Sequence, residues 1–121
     1  MVTGRIDENL EARITIQVVG EDRTENVEFL VDTGFNGYLA VSPSQVTRFQ
    51  LRSKAVQRGV TADGRIGFFD TIEMQIVWLG RTLRLRAQVL DEPLIGVRLL
   101  AGNELFVDWS EGGEVRLSKS K

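Results

Sequence analysis

Apolar and polar residues alternate with period two along most of this chain, and that alternation predicts strands. Arg13-Ile14-Thr15-Ile16-Gln17-Val18 puts Ile14, Ile16 and Val18 on one face. After a turn at Gly20-Glu21-Asp22-Arg23, the residues Val27, Phe29 and Val31 repeat the pattern in a second strand, which pairs with the first as a hairpin and ends on Asp32. Residues 3–7 fit a short strand ahead of these. Further on, Ile66, Phe68, Ile72, Met74, Ile76 and Trp78 fall on even positions of one long strand, interrupted only by Asp70. Leu79-Gly80-Arg81-Thr82 turns the chain, and Leu83, Leu85, Ala87 and Val89 answer on odd positions while Arg84, Arg86 and Gln88 face water. Residues 104–109 and 114–117, separated by Gly112-Gly113, complete the strands.

The breaks in this pattern are equally informative. Ser42-Pro43-Ser44-Gln45 carries an N-cap serine, a proline at the first helical position and a glutamine that completes a capping box, so a short helix is expected over residues 43–49. From Lys54 the pattern is extended again, and Ala62-Asp63-Gly64 suits the tip of a hairpin because Asp and Gly tolerate positive φ. Leu94-Ile95 is a very short apolar strand closed by Gly96, and residues 97–103 have room for two helical turns with Leu99 and Leu100 inward. Many short strands, glycine turns and two short helices imply a mostly β sandwich or barrel, and the local order of the elements favours antiparallel pairing.

Composition narrows the chemistry. With 121 residues the chain fits one domain, residues 1–121. Its 42% apolar and 26% charged residues are those of an ordinary globular protein. The formal charge of −2, with Lys and Arg scattered singly, offers no footprint for nucleic acid or an anionic membrane, and neither partner is expected. There is no cysteine and no histidine. Disulfides, the usual zinc ligand sets, cysteine nucleophiles and Ser-His-Asp triads are thereby excluded, and carboxylates become the main source of acid and base chemistry. No apolar run approaches a membrane span, and Met1-Val2-Thr3-Gly4-Arg5 lacks the features of a signal peptide, so a soluble, cytoplasmic protein is expected.

One stretch stands out: Phe29-Leu30-Val31-Asp32-Thr33-Gly34-Phe35-Asn36-Gly37-Tyr38-Leu39, an apolar strand that delivers a carboxylate into a glycine turn. Asp and Gly are common turn formers, so Asp-Thr-Gly alone is weak. Its context strengthens it, because Gly34 frees the backbone to fold beneath the carboxylate and Thr33 sets a hydroxyl beside it.

Phe29-Leu30-Val31-Asp32-Thr33-Gly34 resembles the active-site motif of retropepsin-like aspartic proteases, and Leu94-Ile95-Gly96 followed by Leu99-Leu100 is similar to that family's second signature. The extended motif through Leu39 most resembles the small single-domain bacterial members. The resemblance implies a closed antiparallel acid-protease barrel of one lobe, with a flap hairpin and one or two short helices. It also implies an aspartic endopeptidase that acts on extended peptide or protein substrates with no metal or organic cofactor. The mechanism needs two carboxylates, and only one Asp-Thr-Gly exists here, so the resemblance implies a homodimer in which each chain supplies Asp32.

By the same resemblance, Asp32 is the general acid/base and Thr33 ties the two active-site loops together. Gly34 presents backbone to the carboxylates. Ile95 and Gly96 lie beside the Asp32 loop on the substrate side, and Ala62, Asp63 and Gly64 lie near the flap tip. Retroviral members commonly carry an acid and an arginine where this chain has Asn36 and Val97, so local support is expected to differ. In that family the terminal strands often interleave across the dimer; for residues 3–7 and 114–117 the sequence leaves this open. The competing reading is a catalytically silent retropepsin-like module for dimerisation or peptide binding, and a third is an unrelated small β-barrel with a chance turn. Trp78 and Trp109, both in alternating strands, read as core or rim packing, Phe68-Phe69 as the inner side of a flap or an oddity of a sandwich, and Arg81, Arg84 and Arg86 as a solvated edge.

Overall fold

The period-two pattern is realised as strand burial in the computed structural model, which describes residues 2–51, 53–60 and 64–121, with backbone alone for 53–60 and 66–69. In chain order the elements are β1 (Val2–Ile6), β2 (Ala12–Val19), β3 (Thr24–Val31), β4 (Leu39–Val41), α1 (Pro43–Arg48), β5 (Ser53–Val60), β6 (Ile66–Trp78), β7 (Arg81–Val89), β8 (Leu94–Ile95), α2 (Val97–Leu100), β9 (Asn103–Val107) and β10 (Glu114–Lys119).

Six strands close a barrel in the order β6-β7-β4-β8-β3-β2, with β2 pairing back onto β6. The closure depends on how β2 divides its edges. Its partner on one side is β3, from Arg13↔Leu30 to Val19↔Thr24. Its other edge is shared: Ala12–Ile14 pair with β1, and Gln17, Val18 and Val19 pair with β6. One end of β2 therefore leads into an outer layer, β1-β10-β9, while the other end seals the barrel. The terminal strands pair within the chain, from Val2↔Leu117 to Arg5↔Glu114, and β1 and β10 each have neighbours on both edges.

Inside the barrel, Ile14, Val18, Phe29, Leu39, Ile72, Ile76 and Ile95 are fully buried. Each such side chain contributes roughly 1.5–3 kcal/mol through loss of apolar surface to water. Ile14, Ile16, Val18 and Phe29 occupy the core face that the alternation predicts, as do Ile72, Met74, Ile76 and Trp78. The β6–β7 hairpin turns on Leu79 and Gly80 alone, both with positive φ (50° and 80°), the signature of a type I′ turn; Arg81 and Thr82 already belong to β7. The capping box of α1 is present, with the Ser42 N–H donating to Gln45 Oε1 at 3.0 Å and Ser42 Oγ accepting from the Gln45 N–H.

Four features depart from the sequence expectation. Two ladders are parallel: β3 with β8 (Leu30↔Leu94, Val31↔Ile95) and β4 with β7 (Leu39↔Ala87 to Val41↔Val89). Reasoning from sequence neighbours favours hairpins and does not find them. The second helix is one turn, not two, because Ala101 is extended, Gly102 adopts φ 80°, and Asn103 already begins β9. The Asn103 side chain donates to the Leu99 and Ala101 carbonyls and closes the helix end. The first helix ends at Arg48, with Phe49 as its buried C-cap. Trp109 lies beyond the end of β9 and is 64% exposed, so it packs in neither core nor strand, whereas Trp78 is buried as expected. No helix among the described residues is long and apolar enough to cross a membrane.

Candidate active site

Two elements far apart in sequence meet at Asp32. The strand β3 ends at Val31, and the Asp32 N–H continues its parallel ladder by donating to the Ile95 carbonyl at 2.9 Å. The chain then turns at once: the Phe35 N–H donates to the Asp32 carbonyl at 3.1 Å, and the Gly34 N–H donates to Asp32 Oδ1 at 2.9 Å. The carboxylate closes its own turn with one oxygen. Its other oxygen makes no hydrogen bond among the described residues, and the half-buried side chain keeps access to solvent.

The loop after Asp32 is tied to the start of α2 by backbone alone. Gly96 donates to the Tyr38 carbonyl at 3.0 Å, Val97 to that of Phe35 at 3.0 Å, and Arg98 to that of Gly37 at 3.2 Å. So dense a set of main-chain bonds needs close approach, and Gly96 permits it. A Cβ there would lie 2.1 Å from the Gly37 carbonyl oxygen and 2.7 Å from the Phe35 ring. Gly37 is similarly confined, since its Cβ would fall 2.6 Å from Phe35 Cζ. Support at Asn36 and Val97 is thus main-chain bonding with a ring packed between two glycines, and Asn36 itself is exposed.

Asp32, Thr33, Gly34, Ile95 and Gly96 are brought together. Thr33 is exposed, and its hydroxyl makes no hydrogen bond among the described residues. β5 and β6 form the expected hairpin, from Ser53↔Ile72 to Val60↔Ile66. Of its turn residues, Gly64 has φ 84°, the left-handed conformation its position in the turn predicts, while Ala62 and Asp63 lie outside the described residues. Phe35 and Gly37 are partners of Gly96 that the sequence signals only through the glycine spacing of Gly34-Phe35-Asn36-Gly37. Among the described residues no group of three or more His, Cys, Asp or Glu could hold a metal.

The whole fold is similar to the crystal structure of a retropepsin-like aspartic protease from Rickettsia conorii, with a TM-score of 0.61 and 17% sequence identity over 94% of this chain and 96% of that one. At that identity the likeness establishes the fold: a retropepsin-like barrel. No family model matches the sequence, and no curated protein is similar to it.

Chemically, one solvent-accessible carboxylate can take or give one proton. It cannot activate a water and protonate a leaving group's carbonyl at the same moment, and no second acid is bonded to the Asp32 turn among the described residues.

Proposed function

We propose that this chain is one half of a homodimeric aspartic endopeptidase, with the two Asp32 carboxylates facing each other across a two-fold axis. The observation that carries the reading is the Asp32 turn: a carboxylate at a strand end, one oxygen held by the Gly34 N–H and the other without a partner among the described residues, in a loop braced by Gly96. The retropepsin-like fold supports it.

In such a dimer, like charges at close range prevent both carboxylates from ionising together, so the pair holds one proton between them. The ionised Asp32 takes a proton from a bound water as the oxygen attacks the peptide carbonyl, and the protonated Asp32 gives its proton to the carbonyl oxygen. Collapse of the tetrahedral species returns a proton to the leaving amine. The Thr33 hydroxyls, which have no partner among the described residues of one chain, link the two loops across the axis. The β5–β6 hairpin serves as the flap, with Gly64 at its turn, and offers strand-like hydrogen bonds to an extended substrate. β1 and β10 pair with each other within the chain, which supports a dimer that does not depend on exchange of terminal strands.

The test is a pH series from acid to neutral on a library of unstructured peptides, wild type against Asp32→Asn. Cleavage by wild type alone supports the proposal, and equal cleavage by both overturns it. Cleavage by neither protein favours the silent binding module. Sedimentation that finds only monomer at high concentration removes the shared-proton mechanism, since one chain supplies one Asp32.

A further inference from the structure

A groove of about 450 Å³ lies between β7 and the segment that runs from α2 into β9. Three features of it converge. The first is backbone. β7 pairs with β6 from Trp78↔Arg81 to Thr71↔Gln88, but β4 reaches its other edge only at Ala87, Gln88 and Val89. From Arg81 to Arg86 that second edge has no strand beside it among the described residues, so alternate N–H and C=O groups point outward.

The second feature is charge. Arg84, Arg86 and Arg98 all line the groove. Arg84 is paired with Glu73 at 2.9 Å, whereas Arg86 and Arg98 have no ion pair or side-chain hydrogen bond among the described residues. In a chain whose net charge is −2 this is a local excess of the opposite sign. The third is the floor, where buried Trp78 and Leu99 give the groove an apolar base beside half-exposed Tyr38.

An open strand edge with unpaired arginines repels basic chains and accepts acidic ones. We propose that this groove binds an extended acidic polypeptide segment as an added strand along β7, with its backbone on the free edge and its carboxylates on Arg86 and Arg98. Peptide is favoured over nucleic acid because the edge supplies main-chain donors and acceptors in strand register. Asp32 is not among the residues that line the groove, so binding does not call on its carboxylate.

The test uses full-length protein carrying Asp32→Asn, which prevents cleavage, and Trp109→Phe, which leaves Trp78 as the only indole. The probe is a blocked Val-Glu-Val-Glu-Val-Glu peptide titrated against Trp78 fluorescence. A saturable change is expected, weakened at least about tenfold by Arg86→Glu with Arg98→Glu, as for loss of a desolvated charge contact. N-methylation of alternate peptide nitrogens should weaken it similarly. The Arg86→Gln, Arg98→Gln protein repeats the comparison if the charge reversal impairs folding. No saturable change, equal binding of the lysine counterpart or of a single-stranded oligonucleotide, or indifference to N-methylation overturns the proposal. So does loss of self-association in the Arg86, Arg98 variants, which would make the groove an interface between copies.

Discussion

A Cβ on Gly96 would sit 2.1 Å from the carbonyl oxygen of Gly37, well inside any real contact. The obstacle is backbone that is itself hydrogen-bonded to Arg98, so it cannot yield cheaply. Gly96→Ala is expected to lower stability by about 1–3 kcal/mol, the usual cost of overpacking, in urea denaturation followed by Trp fluorescence. Because the displaced loop is the one carrying Asp32, any peptidase activity should fall further than the loss of folded protein accounts for.

Asp32→Asn separates chemistry from structure. The asparagine Oδ1 can still accept the Gly34 N–H, so the melting temperature should change little. Peptide hydrolysis should drop by roughly 10²–10⁴-fold, the range for loss of a general acid or base. Titrating this variant into wild type adds a stricter check: if two copies share the site, mixed dimers are impaired and activity declines faster than simple dilution.

The buried carboxylate of Asp7 makes the fold sensitive to acid. Hydrogen bonds from the Glu11 and Asn9 N–H groups and from Arg13, the Glu11 bond foremost, hold its pKa below the ordinary value. A carboxylate with a depressed folded pKa stabilises the fold above its unfolded pKa, about 3.9, and loses that contribution as pH falls through the lower folded value. Wild type should therefore exceed Asp7→Asn in stability at neutral pH, and the gap should narrow below about pH 4 in guanidinium titrations.

The capping box predicts a smaller effect. Ser42→Ala removes the acceptor for the Gln45 N–H and should cost about 1 kcal/mol, while Ser42→Asp should restore most of it. Thermal unfolding of the three proteins measures both changes.

How much was legible in the sequence follows the range of each interaction. The core faces of β2 and β6 and the start of α1 rest on alternation and capping, which act over a few residues and can be read directly. The grouping of Asp32 with Ile95 and Gly96 was reached through paired motifs. Its physical basis, a parallel ladder of two residue pairs, leaves no local trace. Trp109 reads as strand because Asp108 and Trp109 continue the alternation of β9, whereas β9 ends at Val107 and only the Asp108 N–H still bonds across, to the Glu114 carbonyl. The second helix was overextended because its stop depends on the left-handed Gly102 and on an Asn103 side chain turned back to the helix end. Two of the groove's three arginines, Arg84 and Arg86, read with Arg81 as a solvated edge, whereas Arg98 joins them only through the barrel's closure.

β8 is two residues long, and it is wedged between β3 and β4, which precede it by half the chain. During synthesis, Asp32 leaves the ribosome well before Leu94, Ile95 and Gly96 do, and until they arrive the loop lacks the carbonyl and amides that hold it. The nascent chain thus carries its acidic residue in an unbraced form, and the brace comes late in translation. A chain truncated before Leu94 should keep the local bonds of the Asp32 turn but lose the Ile95, Gly96, Val97 and Arg98 bonds that fix its place in the barrel.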